Sequence, residues 1–143
     1  MDRLAPMLAV LVVALIVAFV LRRRKPAAPT QPQLWPAPVQ LDRADFVRPA
    51  APWLVAVFTS ATCEGCARVT AKAEVLAGDE VAYEAVPFQE RRDLHERYGV
   101  EAAPTTVIAD ADGVVQKSFV GDVSATDLWA ALASLREGTG PEP

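Results

Sequence analysis

Residues 53–66 read WLVAVFTSATCEGC, and this stretch decides the fold. Its first half is a near-continuous apolar run rich in β-formers, which predicts a strand that is covered on both faces. The next segment, 63–77, is followed by Gly78 and predicts a helix with a glycine at its C-terminal end. We therefore expect Cys63 and Cys66 at the start of a helix, directly after a buried strand.

Two cysteines in this position predict thiol–disulfide chemistry. At the first turn of a helix, Cys63 would lie beside unpaired backbone N–H groups and the positive end of the helix dipole. Both favour the thiolate, so the pKa of Cys63 is expected below the ordinary value of ~8.5. A thiolate is the nucleophile in disulfide exchange, and Cys66 can attack the resulting mixed disulfide. We predict Cys63 as the exposed nucleophile and Cys66 as the buried resolving cysteine.

Three other roles for the pair are open. A structural disulfide that closes so small a loop contributes little through chain entropy. A zinc site needs about four ligands, and the chain has two cysteines and one histidine, His95, so no metal is expected. Two unreactive buried cysteines would be unusual at a strand-to-helix junction. A domain of this size can also bury a core without disulfides, which leaves the pair free for chemistry.

The rest of the domain alternates strand and helix signals. Ser124, with Asp127 three residues later, matches the spacing of a capping box and predicts the start of the last helix. The order indicates parallel crossover units and then an antiparallel hairpin, which is an α/β fold with a central mixed sheet flanked by helices. The other predicted strands are 39–41, 81–88, 105–109 and 114–120; the other predicted helical segments are 42–46 and 90–98; the hairpin turn is 110–113.

The N-terminal residues have the properties of a membrane anchor. Residues 4–21 contain no charged side chain and would form a helix of about 27 Å at ~1.5 Å per residue, close to the thickness of a bilayer core. A cleaved signal peptide and a buried core helix are the alternatives. The basic cluster at 22–25 follows the apolar run, whereas a signal peptide carries its positive charge before it. We predict one retained transmembrane helix.

The same basic cluster predicts the topology of the chain. Lys and Arg beside a membrane span favour the cytoplasmic side, so the folded domain is expected in the cytoplasm, with the extracytoplasmic side as the alternative. From residue 26 onward the chain has nine basic and 17 acidic residues, a net charge of −8. So acidic a domain argues against a nucleic-acid partner.

A proline-rich linker separates the predicted anchor from the domain. Five of the 13 residues in 26–38 are proline, which excludes a helix or a central strand and predicts an extended, semi-rigid spacer. The predicted organisation is an anchor with its basic flank at 1–25, this linker at 26–38, the folded domain at 39–137 and a disordered tail at 138–143.

Residues 39 to about 135 resemble the thioredoxin family. An apolar strand leads into C-x-x-C in LVAVFTSATCEGC, and Tyr98-Gly99-Val100 follows a helix. Pro104 lies in EAAPTTVI, and the hairpin ends at Gly121 before the capped helix. The resemblance implies a thioredoxin-like fold in which Pro104 is cis and faces the cysteine pair.

The resemblance also implies a function. The protein is expected to be a membrane-tethered thiol–disulfide oxidoreductase that reduces or exchanges disulfides of client proteins. Thr62, Ala103 and Pro104 would line the groove for the client peptide, and the Ala103 backbone would hydrogen-bond it in strand fashion. No bound cofactor is expected, but a separate redox partner must reset the cysteines. A non-catalytic binding or assembly module of the same fold and an extracytoplasmic disulfide oxidase or maturation factor are the alternatives.

Two departures from the family pattern lie beside the cysteines. Thr62 replaces the usual tryptophan before the first cysteine, and Glu64-Gly65 replaces Gly-Pro between the two. A carboxylate at Glu64 should disfavour the Cys63 thiolate. A less stabilised thiolate makes a weaker oxidant, so the departures favour reductase or exchange activity.

Two further departures concern proton transfer. Val57 stands where thioredoxins bury an aspartate that relays protons to the second cysteine, and Glu84 or Ala85 stands near the position of the partner lysine of that aspartate. Proton transfer to Cys66 is therefore expected to use water or another group.

The remaining aromatic and histidine residues are expected to be structural. His95 lies among charged residues in the predicted helix 90–98 and should be a solvated surface residue. Core positions are expected for Trp53, Phe58, Phe119 and Trp129.

Overall fold

The computed structural model describes residues 12–16 and 35–138 of the protein. Residues 12–16 are helical and exposed. Among the described residues, no helix has the length and apolar character needed to cross a membrane. The remainder of the predicted anchor, most of the predicted linker and all but the first residue of the predicted tail lie outside the described residues.

Residues 35–138 contain four strands and three α-helices, together with one short 3-10 helix. They are the 3-10 helix (Arg43–Asp45), β1 (Trp53–Thr59), α1 (Cys66–Glu74), β2 (Val81–Pro87), α2 (Arg92–Arg97), β3 (Thr105–Ala109), β4 (Val115–Val120) and α3 (Ala125–Arg136). The strands form one sheet in the order β2-β1-β3-β4. β1 and β2 are parallel, and the other two pairs are antiparallel. The predicted α/β fold with a central mixed sheet is confirmed.

The register of β1 fixes which ends of the elements meet. β1 pairs with β2 in parallel along its whole length, and α1 is the crossover between them. β1 pairs with β3 in the antiparallel sense, so that Val57 lies opposite Thr106. The carboxyl end of β1, the amino end of α1 and the amino end of β3 therefore lie at one edge of the sheet.

Two apolar layers cover the two faces of the sheet, as the continuous apolar run of β1 predicts. Successive side chains of β1 point to opposite faces, so Phe58 enters one layer and Val57 the other. The first layer contains Leu94 of α2 together with Leu41 and Phe46 from the segment before β1. The second is called here the α1/α3 layer, and its buried members are Val55, Val57, Val69, Ala73, Val81, Ile108, Phe119, Val123, Leu128 and Leu132.

The predicted helix at 63–77 is shorter at both ends than expected. The residues between the cysteines form a turn, and the helix begins at Cys66 with Gly65 as its N-cap. At the other end, Leu76 N–H donates to the Ala73 carbonyl three residues back, which closes the last turn tightly and ends the α-helix.

The predicted strand at 39–41 is not formed. Within the described chain, Gln40 makes a single β-bridge to the hairpin, and Pro38 directly before the segment has no N–H with which to extend the pairing. The segment is nevertheless attached, because Leu41 N–H donates to the Gly113 carbonyl at 2.8 Å.

His95 is buried, so its predicted surface position is wrong. The side chain is 4% exposed, and its Nε2 lies 2.8 Å from the Val86 carbonyl oxygen. A carbonyl oxygen only accepts, so Nε2 carries the donated proton. The ring also packs edge-on against Phe58 and Phe88, with centroid distances of 5.1 and 5.3 Å. α2 is short, and its consecutive residues Leu94 and His95 both face the sheet. The sequence does not reveal this, because the other residues of the helix are charged.

Three of the four aromatic residues expected in the core pack there, and the fourth does not. Phe58 and Phe119 are buried, and Trp53 packs partly buried against the α1/α3 layer. Trp129 is 45% exposed, and its indole N–H donates to the Lys72 carbonyl at 2.8 Å. It therefore joins α3 to α1 on the outside of the molecule.

Candidate redox-active site

The two cysteines lie where β1 ends and α1 begins, and they form a disulfide. Their Cα atoms are 5.5 Å apart. Cys66 is the first residue of the buried stripe of α1 and is 5% exposed, whereas Cys63 lies in the preceding loop and is only partly buried. The pair thus presents one accessible sulfur and one covered sulfur to any approaching molecule.

Backbone and side-chain hydrogen bonds hold the loop that carries Cys63. The Cys63 N–H donates to the Ser60 carbonyl at 3.2 Å. Ala61 N–H donates to the side-chain oxygen of Gln89 at 3.2 Å, and Gln89 lies two residues after the end of β2. Sequence reasoning missed Gln89, although the carboxyl ends of adjacent parallel strands share one edge of the sheet and thereby bring such residues together.

Pro104 lies near the cysteine loop, directly before β3, the strand that pairs with β1. The Ala103–Pro104 peptide bond is cis, and Pro104 is buried. Its Cδ lies 4.0 Å from the position that a Cβ on Gly65 would occupy. The Pro104 carbonyl accepts from Gly121 N–H at 2.8 Å, which ties this residue to the end of β4. Gly65 and Pro104, distant in sequence, therefore lie close together at the site.

The other predicted groove residues lie on the accessible side of the loop. Ala103 is partly exposed. Thr62 is exposed, and its hydroxyl lies 3.3 Å from that of Ser60. Thr62 directly precedes the partly exposed Cys63, and Ala103 directly precedes the buried Pro104.

A charged group that the sequence did not single out lies beside the loop. The Arg68 guanidinium is 3.7 Å from the position of a Gly65 Cβ and 3.6 Å from the Asp122 carboxylate. Asp122 also pairs with Lys72 at 3.0 Å. Glu64 and Arg68 thus place one charge of each sign near the cysteine pair.

Beneath the loop, the side chains at the positions of the family's proton relay are apolar or engaged elsewhere. Val57 is fully buried in the α1/α3 layer. The Glu84 carboxylate accepts from Val47 N–H at 2.7 Å and pairs with Arg91 at 3.3 Å. Neither position therefore offers an ionisable group to Cys66.

The motif residue Tyr98 belongs to a separate polar cluster. Its hydroxyl donates to Asp45 and accepts from Asp42 N–H at 3.0 Å. The hydrogen bond from Tyr98, followed by the bond from Arg97, holds the pKa of Asp45 below its ordinary value. Burial and the Asp45 bond raise the pKa of Tyr98. The cluster fastens the 3-10 helix to the end of α2 and is structural.

A family model of a thioredoxin-like domain matches residues 40–136 of the chain. The chain belongs to the thioredoxin-like family. The match includes both cysteines and the cis-proline, and it spans the whole sheet. None of the curated protein sequences compared with this thioredoxin-like chain gives a significant match.

Solved structures share the thioredoxin-like fold at low sequence identity. A malarial protein is 17% identical with a TM-score of 0.52, over 58% of this chain and 96% of that chain. Thioredoxin-2, a component of the malaria parasite protein secretion machinery, is 19% identical with a TM-score of 0.53, over 58% and 82% of the two chains. The germline-specific thioredoxin Deadhead of Drosophila melanogaster is 22% identical with a TM-score of 0.54, over 61% and 84%.

The described residues contain no cluster suited to a metal ion. Among them, no three or more His, Cys, Asp or Glu side chains come together in a way that could hold one.

Proposed function

We propose that the protein is a thiol–disulfide oxidoreductase that acts on disulfides of client proteins. The observation that carries this proposal is the unequal exposure of two cysteines that are bonded to each other. Cys63 is accessible at the loop and Cys66 is 5% exposed at the start of α1. Such a pair allows an external sulfur to reach Cys63 while Cys66 reacts only from within the protein.

In the reductive direction, the Cys63 thiolate attacks one sulfur of the client disulfide. A bond forms between Cys63 and that sulfur, and the other client sulfur leaves as a thiolate. Cys66 then loses its proton to solvent and attacks the Cys63 sulfur. The Cys63–Cys66 bond forms, the mixed disulfide breaks, and the second client sulfur leaves. Two electrons have passed from the cysteine pair to the client, and the leaving thiolates take protons from solvent as their pKa values require.

The client peptide is proposed to bind as an extended strand beside Pro104. Ala103 is partly exposed directly before the buried Pro104, and Pro104 packs on the loop between the cysteines. A strand that hydrogen-bonds to the Ala103 backbone would pass the partly exposed Cys63, with Thr62 on its other side.

The electrostatics of the loop favour reduction or exchange over strong oxidation. α1 begins at Cys66, so Cys63 lies outside the first helical turn and gains less from the helix dipole than a residue within it. Glu64 adds a negative charge beside the thiolate. The reaction needs no bound cofactor, and a separate dithiol or disulfide partner resets the pair.

We further propose that residues 1–25 anchor this domain in a membrane, with the linker 26–38 as a spacer and the domain on the cytoplasmic side. The support is the uncharged run 4–21 followed by the basic cluster 22–25. The test uses the Cys66→Ser variant, which leaves the Cys63 thiol free, in cells treated with a membrane-impermeant thiol reagent. Labelling should occur only after permeabilisation. Labelling of intact cells would place the domain outside and favour the extracytoplasmic oxidase or maturation factor.

Enzymatic turnover separates the oxidoreductase from a non-catalytic module of the same fold. The purified full chain in mild detergent should catalyse reduction of a disulfide-bonded protein such as insulin by dithiothreitol. The Cys63→Ser variant should be inactive, and the Cys66→Ser variant should accumulate a mixed disulfide with the substrate. Equal rates with wild type and Cys63→Ser would leave only the binding or assembly role.

A further inference from the structure

Thr106 of β3 carries a buried hydroxyl that the fold does not use. The residue is 0% exposed, and its Oγ1 has no hydrogen-bond partner among the described residues. A buried hydroxyl without a partner destabilises the folded protein, and the large majority of buried hydroxyls are paired. Valine has nearly the same shape as threonine and lacks the hydroxyl, so it would avoid this destabilisation. The hydroxyl of Thr106 therefore indicates a function other than packing.

The position of Thr106 connects it to the buried cysteine. In the β1–β3 register it lies opposite Val57, and by strand alternation it shares the face of Ile108, which belongs to the α1/α3 layer. Cys66 is the first residue of the buried stripe of α1, and the next member of that stripe, Val69, belongs to this layer.

The position of Thr106 along β3 also places it near the edge of the sheet where the cysteines lie. Pro104, two residues earlier in the chain, packs against Gly65, which directly precedes Cys66. Thr106 is thus the next residue of β3 on the α1/α3 side below the cysteine loop. The amino end of α1 and the amino end of β3 meet at this edge.

We propose that the Thr106 hydroxyl donates a hydrogen bond to Sγ of Cys66, directly or through one water, when the cysteine pair is reduced. The proposal rests on the proposed redox function and identifies the group that assists the second cysteine in the absence of an acid at Val57. In the oxidised protein, the Cys66 sulfur is held in the disulfide and is a poor acceptor. The hydroxyl is then left without a partner, as observed.

In the resolving step, this hydrogen bond stabilises the negative charge that develops on Sγ of Cys66. As its proton leaves to solvent, the sulfur becomes a thiolate, which accepts a hydrogen bond more strongly than a disulfide sulfur does. The thiolate then attacks Cys63 and expels the client sulfur. Thr106 keeps its own proton throughout, so the electron and proton balance of the exchange is unchanged.

Few other groups can supply this contact. Other polar side chains on this side of the sheet are the half-buried Tyr83 of β2 and the half-buried Thr70 of α1, which interact with each other; burial raises the pKa of Tyr83. Tyr83 lies opposite Val55, one step along that face from Val57 and farther from the cysteine edge. The charged groups at the rim of α1 are Glu64, Arg68, Lys72 and Asp122.

The test compares Thr106→Val, which removes the hydroxyl and keeps the shape, with Thr106→Ser, which keeps the hydroxyl. Tyr83→Phe is the matched control, because it removes a buried hydroxyl from the same face. The full-length chain in mild detergent is equilibrated with glutathione buffers, and its thiols are counted after alkylation. Thr106→Val should shift the equilibrium about fivefold to tenfold towards the disulfide, a potential about 20–30 mV more negative. The thiol–disulfide equilibrium constant of Thr106→Ser should stay within about twofold of the wild-type value, and that of Tyr83→Phe should equal the wild-type value.

A second measurement separates this role from a simple defect of packing. If the hydroxyl were only an unsatisfied group, Thr106→Val would raise the denaturation midpoint equally in the oxidised and reduced proteins. The proposal predicts a rise in the oxidised protein and a smaller rise or a fall in the reduced one. Equal midpoint shifts with an unchanged potential, in a chain whose wild-type pair cycles, would overturn the role of Thr106 alone. A wild-type pair that does not cycle would overturn the redox function itself.

Discussion

Replacing Gly113 by alanine should loosen the attachment of the segment before β1 to the domain. Gly113 has φ +79° in the turn between β3 and β4, where a residue with a side chain is strained. An alanine Cβ would overlap the Leu41 carbonyl oxygen and lie 3.2 Å from the Gln40 side-chain nitrogen. The obstacle is backbone, so the whole segment must move.

These contacts determine how much free energy of unfolding Gly113→Ala should lose. The left-handed conformation costs an alanine about 1–2 kcal/mol. Displacing Leu41 breaks the 2.8 Å hydrogen bond from its N–H to the Gly113 carbonyl, worth about 1 kcal/mol. Leu41 is 2% exposed, so part of its burial energy is also lost. We expect Gly113→Ala to lower the free energy of unfolding by about 2–4 kcal/mol.

Urea unfolding of the oxidised full-length chain, followed by tryptophan fluorescence, measures this loss. Gly78→Ala is the control, because a Cβ there meets nothing within 4 Å and the backbone is not left-handed. It should leave the stability unchanged or raise it by up to about 1 kcal/mol. A Gly113→Ala protein within about 0.5 kcal/mol of wild type would refute the reasoning.

Two further perturbations test the electrostatics. Glu64→Gln should lower the pKa of Cys63 in the reduced protein, because a solvent-screened negative charge beside the thiolate is removed, and the pH dependence of alkylation of the Cys66→Ser variant measures it. An equal or higher pKa would contradict the placement of Glu64. Asp45 has a folded-state pKa below its ordinary value, chiefly through the bond from Tyr98, so its stabilisation is present above about pH 4 and is lost as the pH falls through the folded-state pKa. Asp45→Asn should therefore be less stable than wild type at pH 7, with a difference that shrinks below pH 4; a constant difference in urea midpoint would exclude this linkage.

The sequence predicts well those elements whose apolar pattern has one interpretation. β1 was expected at 53–59 and occupies Trp53–Thr59, because a continuous apolar run of that length fits a strand that is buried on both faces. The last helix begins after Ser124 as its capping pattern indicates, and the Ser124 hydroxyl accepts from Asp127 N–H at 3.0 Å.

Other features depend on tertiary contacts that no local pattern contains. The start of α1 depends on how the loop between the cysteines turns, so the expected helix start at Cys63 is wrong by three residues. His95 is buried because Phe58 and Phe88 close around it from other elements. The position of Thr106 opposite Val57, on the α1/α3 side of the sheet, follows from the β1–β3 register, which the sequence alone does not fix.

The cysteine pair of an oxidoreductase must cycle between a dithiol and a disulfide, and this cycling can be measured. The full-length chain, in mild detergent at pH 7, is equilibrated over a series of glutathione redox buffers, and its free thiols are counted by mass spectrometry after alkylation. We expect one two-electron transition between a dithiol and the Cys63–Cys66 disulfide, absent from both the Cys63→Ser and the Cys66→Ser variants. Thiols that stay fully oxidised or fully reduced across the series would contradict it.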